Sequence, residues 1–154
     1  LGSRTKYGEE EFRKVDYSYV LYSASLCEKF DIPHFSHVTS IGVDPKSCIL
    51  YMRIKGETEE KLKTMSIKNL TLMRPGAILD RDNDPRFGEA FFGFLIRYAF
   101  CCLPFIKSKQ IGIALGYEAE KVGGNKLKTN LNVYSNSSML ELSKEAASKK
   151  GIYE

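Results

Sequence analysis

Apolar residues at Phe12, Val15, Tyr19, Tyr22 and Leu26 recur in steps of three and four, a spacing that gathers side chains on one face of an α-helix. GEEEFRKVDYSYVLYSASLCEKFDI, residues 8–32, is therefore expected to be helical, with Glu9, Glu10 and Glu11 at its positive N-terminal end. Pro33 stops it. HFSHVTS, residues 34–40, changes the pattern to a short apolar run bounded by turn formers, as in a buried strand. GVDPKS follows as a loop. CILYMRIKGETEEKLKTM, residues 48–65, returns to helical spacing with Ile54 and Leu62 on its buried side. Glu57/Lys61 and Glu59/Lys63 are spaced for i,i+4 ion pairs there, and Gly56 weakens the helix slightly.

IKNLTLMRPG predicts a second strand through Thr71 and Leu72, broken at Pro75-Gly76. DRDNDPRFGE is a polar loop, and an apolar helix is expected from Gly88 to Phe100. KQIGIALGYEAEKV carries a weaker strand-then-helix pattern. NVYS leads into a helix from about Ser138 to Ser148, where Ser138 and Glu141 have the spacing of a capping box. Strands alternating with helices predict an α/β fold with a parallel sheet. Ligands of such sheets bind at the carboxyl ends of the strands. Ser40 and Arg74 stand at two predicted strand ends, where they could face one crevice.

A chain of 154 residues holds one domain with a real core. The net charge of +4 is spread through interleaved Lys, Arg, Asp and Glu, whereas a nucleic-acid binder concentrates its basic residues on one face. Nucleic-acid binding is set aside. The four cysteines, Cys27, Cys48, Cys101 and Cys102, form no C-x-x-C pair, and only His34 and His37 stand ready to assist a metal. Reduced thiols and no metal site are expected. FFGFLIRYAFCCLPFI, residues 91–106, is shorter than a membrane span and carries Arg97 and Pro104. It reads as a core helix, ahead of a membrane-surface contact.

Candidate chemistry lies between the first two strands. Thr39-Ser40 ends the first apolar run, and Tyr51 and Lys55 follow at a separation of one helical turn. A phenol beside a fixed cation loses its proton more easily, and a neighbouring hydroxyl can orient a carbonyl. A tyrosine on the flank of a solvated helix has the same spacing. Y-x-x-x-K occurs twice, as Tyr51/Lys55 and as Tyr117/Lys121, and about one match is expected by chance. The first follows a strand that ends in hydroxyl residues. The second lies in a Glu-rich stretch and is read as a solvated face.

Three ordered blocks, VDYSYVLYSASLCEKFDIPHFSHVTSIGVD, LYMRIKGETEEKLKTM and LTLMRPGAIL, resemble the atypical short-chain dehydrogenase/reductases of the Tat-interactive protein 2 kind and their fungal mitochondrial relatives. The similarity runs in order from Leu1 to about Phe92 and loosens after that. It implies an oxidoreductase that transfers hydride to or from a small carbonyl or alcohol substrate. Tyr51 would be the general acid/base, Lys55 would lower its pKa and hold the nicotinamide ribose, and Ser40, with Thr39 as the lesser alternative, would bind the substrate carbonyl. Arg74, Pro75 and Gly76 match a stretch that runs past the nicotinamide. Asp16 stands about where many members of the wider superfamily carry an Asn, which puts a proton relay through that position in doubt.

Members of that family open with a βαβ unit whose Gly-rich loop cradles the cofactor pyrophosphate. No G-x-x-G-x-x-G occurs in this sequence, which begins with Leu1 rather than Met. The expectation is therefore a fragment or truncated form. Residues 1–154 would be the C-terminal portion of one NAD(P)-binding Rossmann-like domain with its N-terminal βαβ half missing. The implied cofactor is NAD(P), NADP(H) in the first instance, without tight binding by this chain alone. The residue that selects between the two would lie in the missing half. The alternative is a non-catalytic interaction module that keeps the Rossmann-like remnant, with a protein partner or self-association through an open, apolar HFSHVTS edge. A cytoplasmic location is expected, with a mitochondrial association as the alternative.

Overall fold

The computed structural model describes residues 4–80, 104–124 and 130–150. The first helical stretch is three pieces. Helix α1 (Arg4–Arg13) bends at Gly8, whose φ of 78° no helix allows, and passes through a π-helical turn (Lys14–Ser18) into α2 (Tyr19–Lys29). The π turn holds an extra residue and rotates every later side chain around the axis. Phe12 is buried as the spacing requires, but Tyr19 and Tyr22 emerge into solvent, and Val20, Leu21 and Ala24 take the inner face instead. The single periodic stripe expected over 8–32 is thus broken in the middle. Helix α2 ends in a Schellman motif, with Ile32 N–H on the Cys27 carbonyl and Asp31 N–H on that of Glu28. Asp31 takes the left-handed position at φ 56°.

Strand β1 (Phe35–Val38) leads through α3 (Leu50–Lys63) to β2 (Leu70–Arg74), a parallel βαβ unit in which Phe35 faces Leu70 and Val38 faces Met73. Beyond β2 lie β3 (Ala77–Ile78), β4 (Phe105–Ile106) and α4 (Ser108–Gly123), then β5 (Leu131–Ser135) and α5 (Asn136–Lys150). Strand β5 pairs with β2 in parallel, giving the order β1-β2-β5, and β3 pairs with β4 in parallel as a second, short sheet. This is a partial Rossmann-type α/β arrangement, as the alternation of patterns predicts. Most of the polar loop at 80–89, the helix expected from Gly88 to Phe100, and Cys101-Cys102 lie outside the described residues.

Strand β2 is central and buried on both faces, which is why LTLM shows no polar alternation. Leu70 and Leu72 pack with Ala24 of α2, Leu62 of α3 and Phe35 on one side. Met73, with Val38 and Tyr134, packs on the other side against Ala114 and Tyr117 of α4 and Met139, Leu142 and Ala146 of α5. Among the described residues β1 pairs with β2 alone, so its other edge is open.

Two local expectations change. KQIGIALGYEAEKV is one helix, because Ile111, Ala114, Tyr117 and Glu118 are the buried positions and step at helical spacing. The strand near it comes earlier, at Phe105-Ile106. Helix α5 begins two residues before Ser138. Ser135 is the capping residue, its Oγ accepting the Ser138 N–H at 3.3 Å.

Candidate active site

The site is built at the carboxyl ends of β1 and β2. Past Val38 the chain keeps running beside β2, with Thr39 N–H on the Met73 carbonyl at 2.8 Å and Ile41 N–H on that of Pro75 at 2.9 Å. These bonds set the buried Ser40 alongside the Arg74-Pro75-Gly76 turn, so the two strand ends named from sequence do meet. Gly42, at φ 75°, turns the chain away. Asp44 and Ser47 then close short turns, Asp44 Oδ1 accepting Lys46 N–H and Ser47 Oγ accepting Ile49 N–H, and deliver the chain into α3 one residue before Tyr51. A Cβ at Gly56 would collide with the backbone of Asp44 and Pro45, so the glycine that weakens the helix is what lets this loop lie on it.

Tyr51 and Lys55 share one face of the first turns of α3. The Lys55 ammonium stands 5.9 Å from the centroid of the Tyr51 ring, and the ring leans on Phe12 at a centroid distance of 6.0 Å. Lys55 is buried and donates to Asp16 Oδ1 at 2.5 Å. Asp16 lies in the π turn, and its backbone carbonyl accepts the Thr58 hydroxyl at 2.9 Å. The position in doubt from sequence is therefore a direct partner of Lys55.

Glu59, one turn beyond Lys55, is 1% exposed. Its carboxylate accepts the Thr39 hydroxyl at 2.6 Å and two bonds from Arg74 Nε at 3.0 and 3.2 Å, with the Arg74 terminal nitrogen closing the ion pair. The Thr39 hydroxyl, which also reaches the Met73 carbonyl, is committed to this network, and Ser40 is left as the candidate for a substrate carbonyl. Arg74, bonded to Glu59, has its pKa raised. Glu59 and Lys63 make no i,i+4 pair, and neither do Glu57 and Lys61. Glu59 turns inward to Arg74, Glu57 meets Arg13, and Lys63 meets Glu60. His37, on β1, is pushed down to about 4 by burial and by the Lys55 charge, against a smaller opposing pull from Glu59. Its Nε2 is buried and has no partner among the described residues.

The Pro75-Gly76 end is clamped from the other side of the sheet. Asn136, the first residue of α5, accepts Gly76 N–H at 2.9 Å and donates to the Phe105 carbonyl at 3.1 Å. A Cβ at Gly76 would strike the Pro104 carbonyl.

No protein-family model matches the chain. Among curated proteins, Protein HTATIP2 of Rattus norvegicus is 38% identical over 97 residues, covering 60% of this chain and 40% of that protein. Protein FMP52, mitochondrial, of Candida albicans is 33% identical over 78 residues, 50% of this chain and 34% of that protein. Its counterpart in Lodderomyces elongisporus is 27% identical over 139 residues, 86% and 58% of the two chains. This chain is a homologue of the HTATIP2 and FMP52 proteins. The resemblance to atypical short-chain dehydrogenase/reductases drawn from its residues thus stands, and the chain spans less than two thirds of the length of these relatives.

The second Tyr/Lys pair sits elsewhere. Tyr117 is not on a solvated face: it is buried between α4 and α5. Its hydroxyl donates to Glu145 at 2.8 Å and accepts from Lys149 at 2.7 Å, and Lys121 lies over its ring at 4.8 Å. A Glu-rich composition suggested solvent there, but the helical step from Ile111 through Ala114 to Tyr117 was the stronger signal. The functional neighbourhood also gains Glu59 and Asn136, neither of which the sequence marks. Glu59 looked like one more surface charge, and Asn136 lay before the expected start of its helix.

Proposed function

We propose that residues 1–154 form the substrate-side, C-terminal portion of one NAD(P)-binding Rossmann-like domain, an oxidoreductase acting on a small carbonyl or alcohol. The observation that carries the reading is the Lys55 ammonium set against the Tyr51 ring, at the end of the sheet where Ser40 meets Arg74-Pro75-Gly76. Tyr51 gives or takes the proton at the substrate oxygen, and the Ser40 hydroxyl donates to the same atom. Lys55 places its positive charge 5.9 Å from the centre of the Tyr51 ring. One of the three ammonium donors is spent on Asp16, and the others would donate to the ribose hydroxyls.

The residues fit the nicotinamide-ribose end of the cofactor through Lys55, whose ammonium offers donors beside the Tyr51 ring. Bound NAD(P)H supplies the hydride. The sequence carries no Gly-rich phosphate loop, so residues 1–154 alone are expected to bind either form more weakly than micromolar. The test is fluorescence titration of NADPH and NADH into a full-length chain, meaning residues 1–154 with the N-terminal βαβ half restored, then steady-state reduction of small aldehydes and ketones. Saturable binding with turnover is the expected result, and a folded full-length chain that does neither overturns the reading.

A non-catalytic interaction module is the second reading, supported by the open β1 edge and by Leu131 and Val133, which stay exposed beside the buried Leu70 and Leu72. It expects self-association or partner capture without turnover. For location we infer a mitochondrial association, since the FMP52 relatives carry that word in their names. No described helix is long and apolar enough to cross a membrane.

A further inference from the structure

Each partner of the Glu59 carboxylate is the chain neighbour of a candidate site residue. Thr39 precedes Ser40, Arg74 precedes Pro75-Gly76, and Glu59 itself follows Lys55 by one turn of α3. We propose that Glu59 is a positioning residue: one carboxylate joins the Tyr51/Lys55 helix to both strand-end turns and fixes Ser40 and the Pro75-Gly76 turn relative to it.

Burial sharpens the point. Removing a carboxylate from water is costly, and a buried ion pair is often no more stabilising than apolar side chains of the same volume. Glu59 is nevertheless buried as deeply as the apolar Leu62 on the same helix. What an apolar residue does not supply is direction. The bidentate Arg74 pair and the 2.6 Å Thr39 bond fix three backbone segments in angle as well as distance. The ring of contacts closes through Ile41 N–H on the Pro75 carbonyl and Gly76 N–H on Asn136. Those two amides report whether the turns hold. Proton transfer between positioned groups is sensitive to about 1 Å of misplacement, which costs on the order of 10²-fold.

The link to turnover rests on the oxidoreductase reading, but the positioning does not, and the experiment separates them. In the full-length chain, Glu59→Gln keeps the shape and removes the charge, and Thr39→Val removes one hydroxyl without touching Arg74. Amide hydrogen exchange is measured at Ile41 and Gly76, with Leu72 in the centre of β2 as the control. Both variants are expected to exchange roughly tenfold faster or more at Ile41 and Gly76 with Leu72 unchanged. In turnover, kcat should fall by about 10- to 100-fold, with KM for carbonyl and cofactor within roughly threefold. The double variant should be no worse than the poorer single, because both break one device. Wild-type exchange at Ile41 in Glu59→Gln overturns the proposal. So does acceleration at Leu72 equal to that at Ile41 with kcat per folded molecule unchanged, which marks a purely structural role. If Glu59→Gln does not fold, Thr39→Val decides by the same readouts. If the wild-type chain has no turnover, the oxidoreductase reading fails and exchange alone decides the positioning.

Discussion

The same four-residue spacing occurs twice in this molecule with opposite surroundings. Tyr51 opens a helix that starts at the carboxyl ends of the strands, and its lysine is buried against a carboxylate from another segment. Tyr117 lies in the body of α4, its hydroxyl occupied by Glu145 and Lys149, and its lysine rests on the ring with Glu118 at 3.7 Å. Both pairs put a cation beside a phenol. The first is placed where a parallel sheet receives ligands, while the second is engaged in holding α4 to α5. Position in the sheet decides the meaning of the motif.

The sharpest way to break this contrast is Tyr51→Phe in the full-length chain. It keeps the ring and its packing on Phe12 and removes the proton, so turnover should fall by about 10²–10⁴-fold with cofactor affinity nearly unchanged. Steady-state kinetics check it, and wild-type turnover would refute the assignment of Ser40, Tyr51 and Lys55. Next comes Lys55→Met, which takes the cation from the partly buried Asp16 and should cost about 3 kcal/mol in urea melts. Lys121→Met, its counterpart, takes the cation from the fully buried Glu118 and should cost a similar amount of stability while leaving turnover unchanged.

A pH effect of similar size belongs to the first region. His37 titrates at about 4 in the folded chain against an ordinary value of 6.5. The unfolded chain therefore takes the proton first as pH falls. Stability is full above the unfolded value and declines down to the folded one, by about 3 kcal/mol in all. His37→Leu should flatten most of that slope in urea melts run from pH 7.5 to 4.5. A residue of slope should persist from His34, whose pKa burial also lowers. Glu60, Asp80 and Glu145 are held below the usual carboxylate range by their hydrogen bonds. They therefore add to the decline only at the acid end of the titration. The smallest effect is Tyr117→Phe: turnover unchanged, and about 1 kcal/mol of stability lost with the hydroxyl bonds to Glu145 and Lys149.

The fold was legible where one period ran undisturbed. The run through Thr71 and Leu72 announced a strand, and Ile54 and Leu62 marked the inner side of α3. It was illegible at Lys14–Ser18, because a π turn has no compositional signature and silently moves Tyr19 and Tyr22 outward. The site divides the same way. Tyr51 and Lys55 stand one helical turn apart and Ser40 and Arg74 stand at predicted strand ends, and the family resemblance supplied the roles expected of them. Glu59 could not be named, since nothing local distinguishes it from Glu57 or Glu60, and its value arises only when Thr39 and Arg74 converge on it from other strands.

The contact of Asp44-Pro45 with the bare backbone of Gly56 makes the segment from Ser40 to Tyr51 a gauge of fixed length. A loop that touched nothing could lengthen freely at small entropic cost. This one is anchored midway to the helix it feeds, so one added residue must either lift the loop from Gly56 or rotate Tyr51 off the site. The residue count of that segment should therefore be held more tightly than that of other surface loops, where insertions are tolerated first.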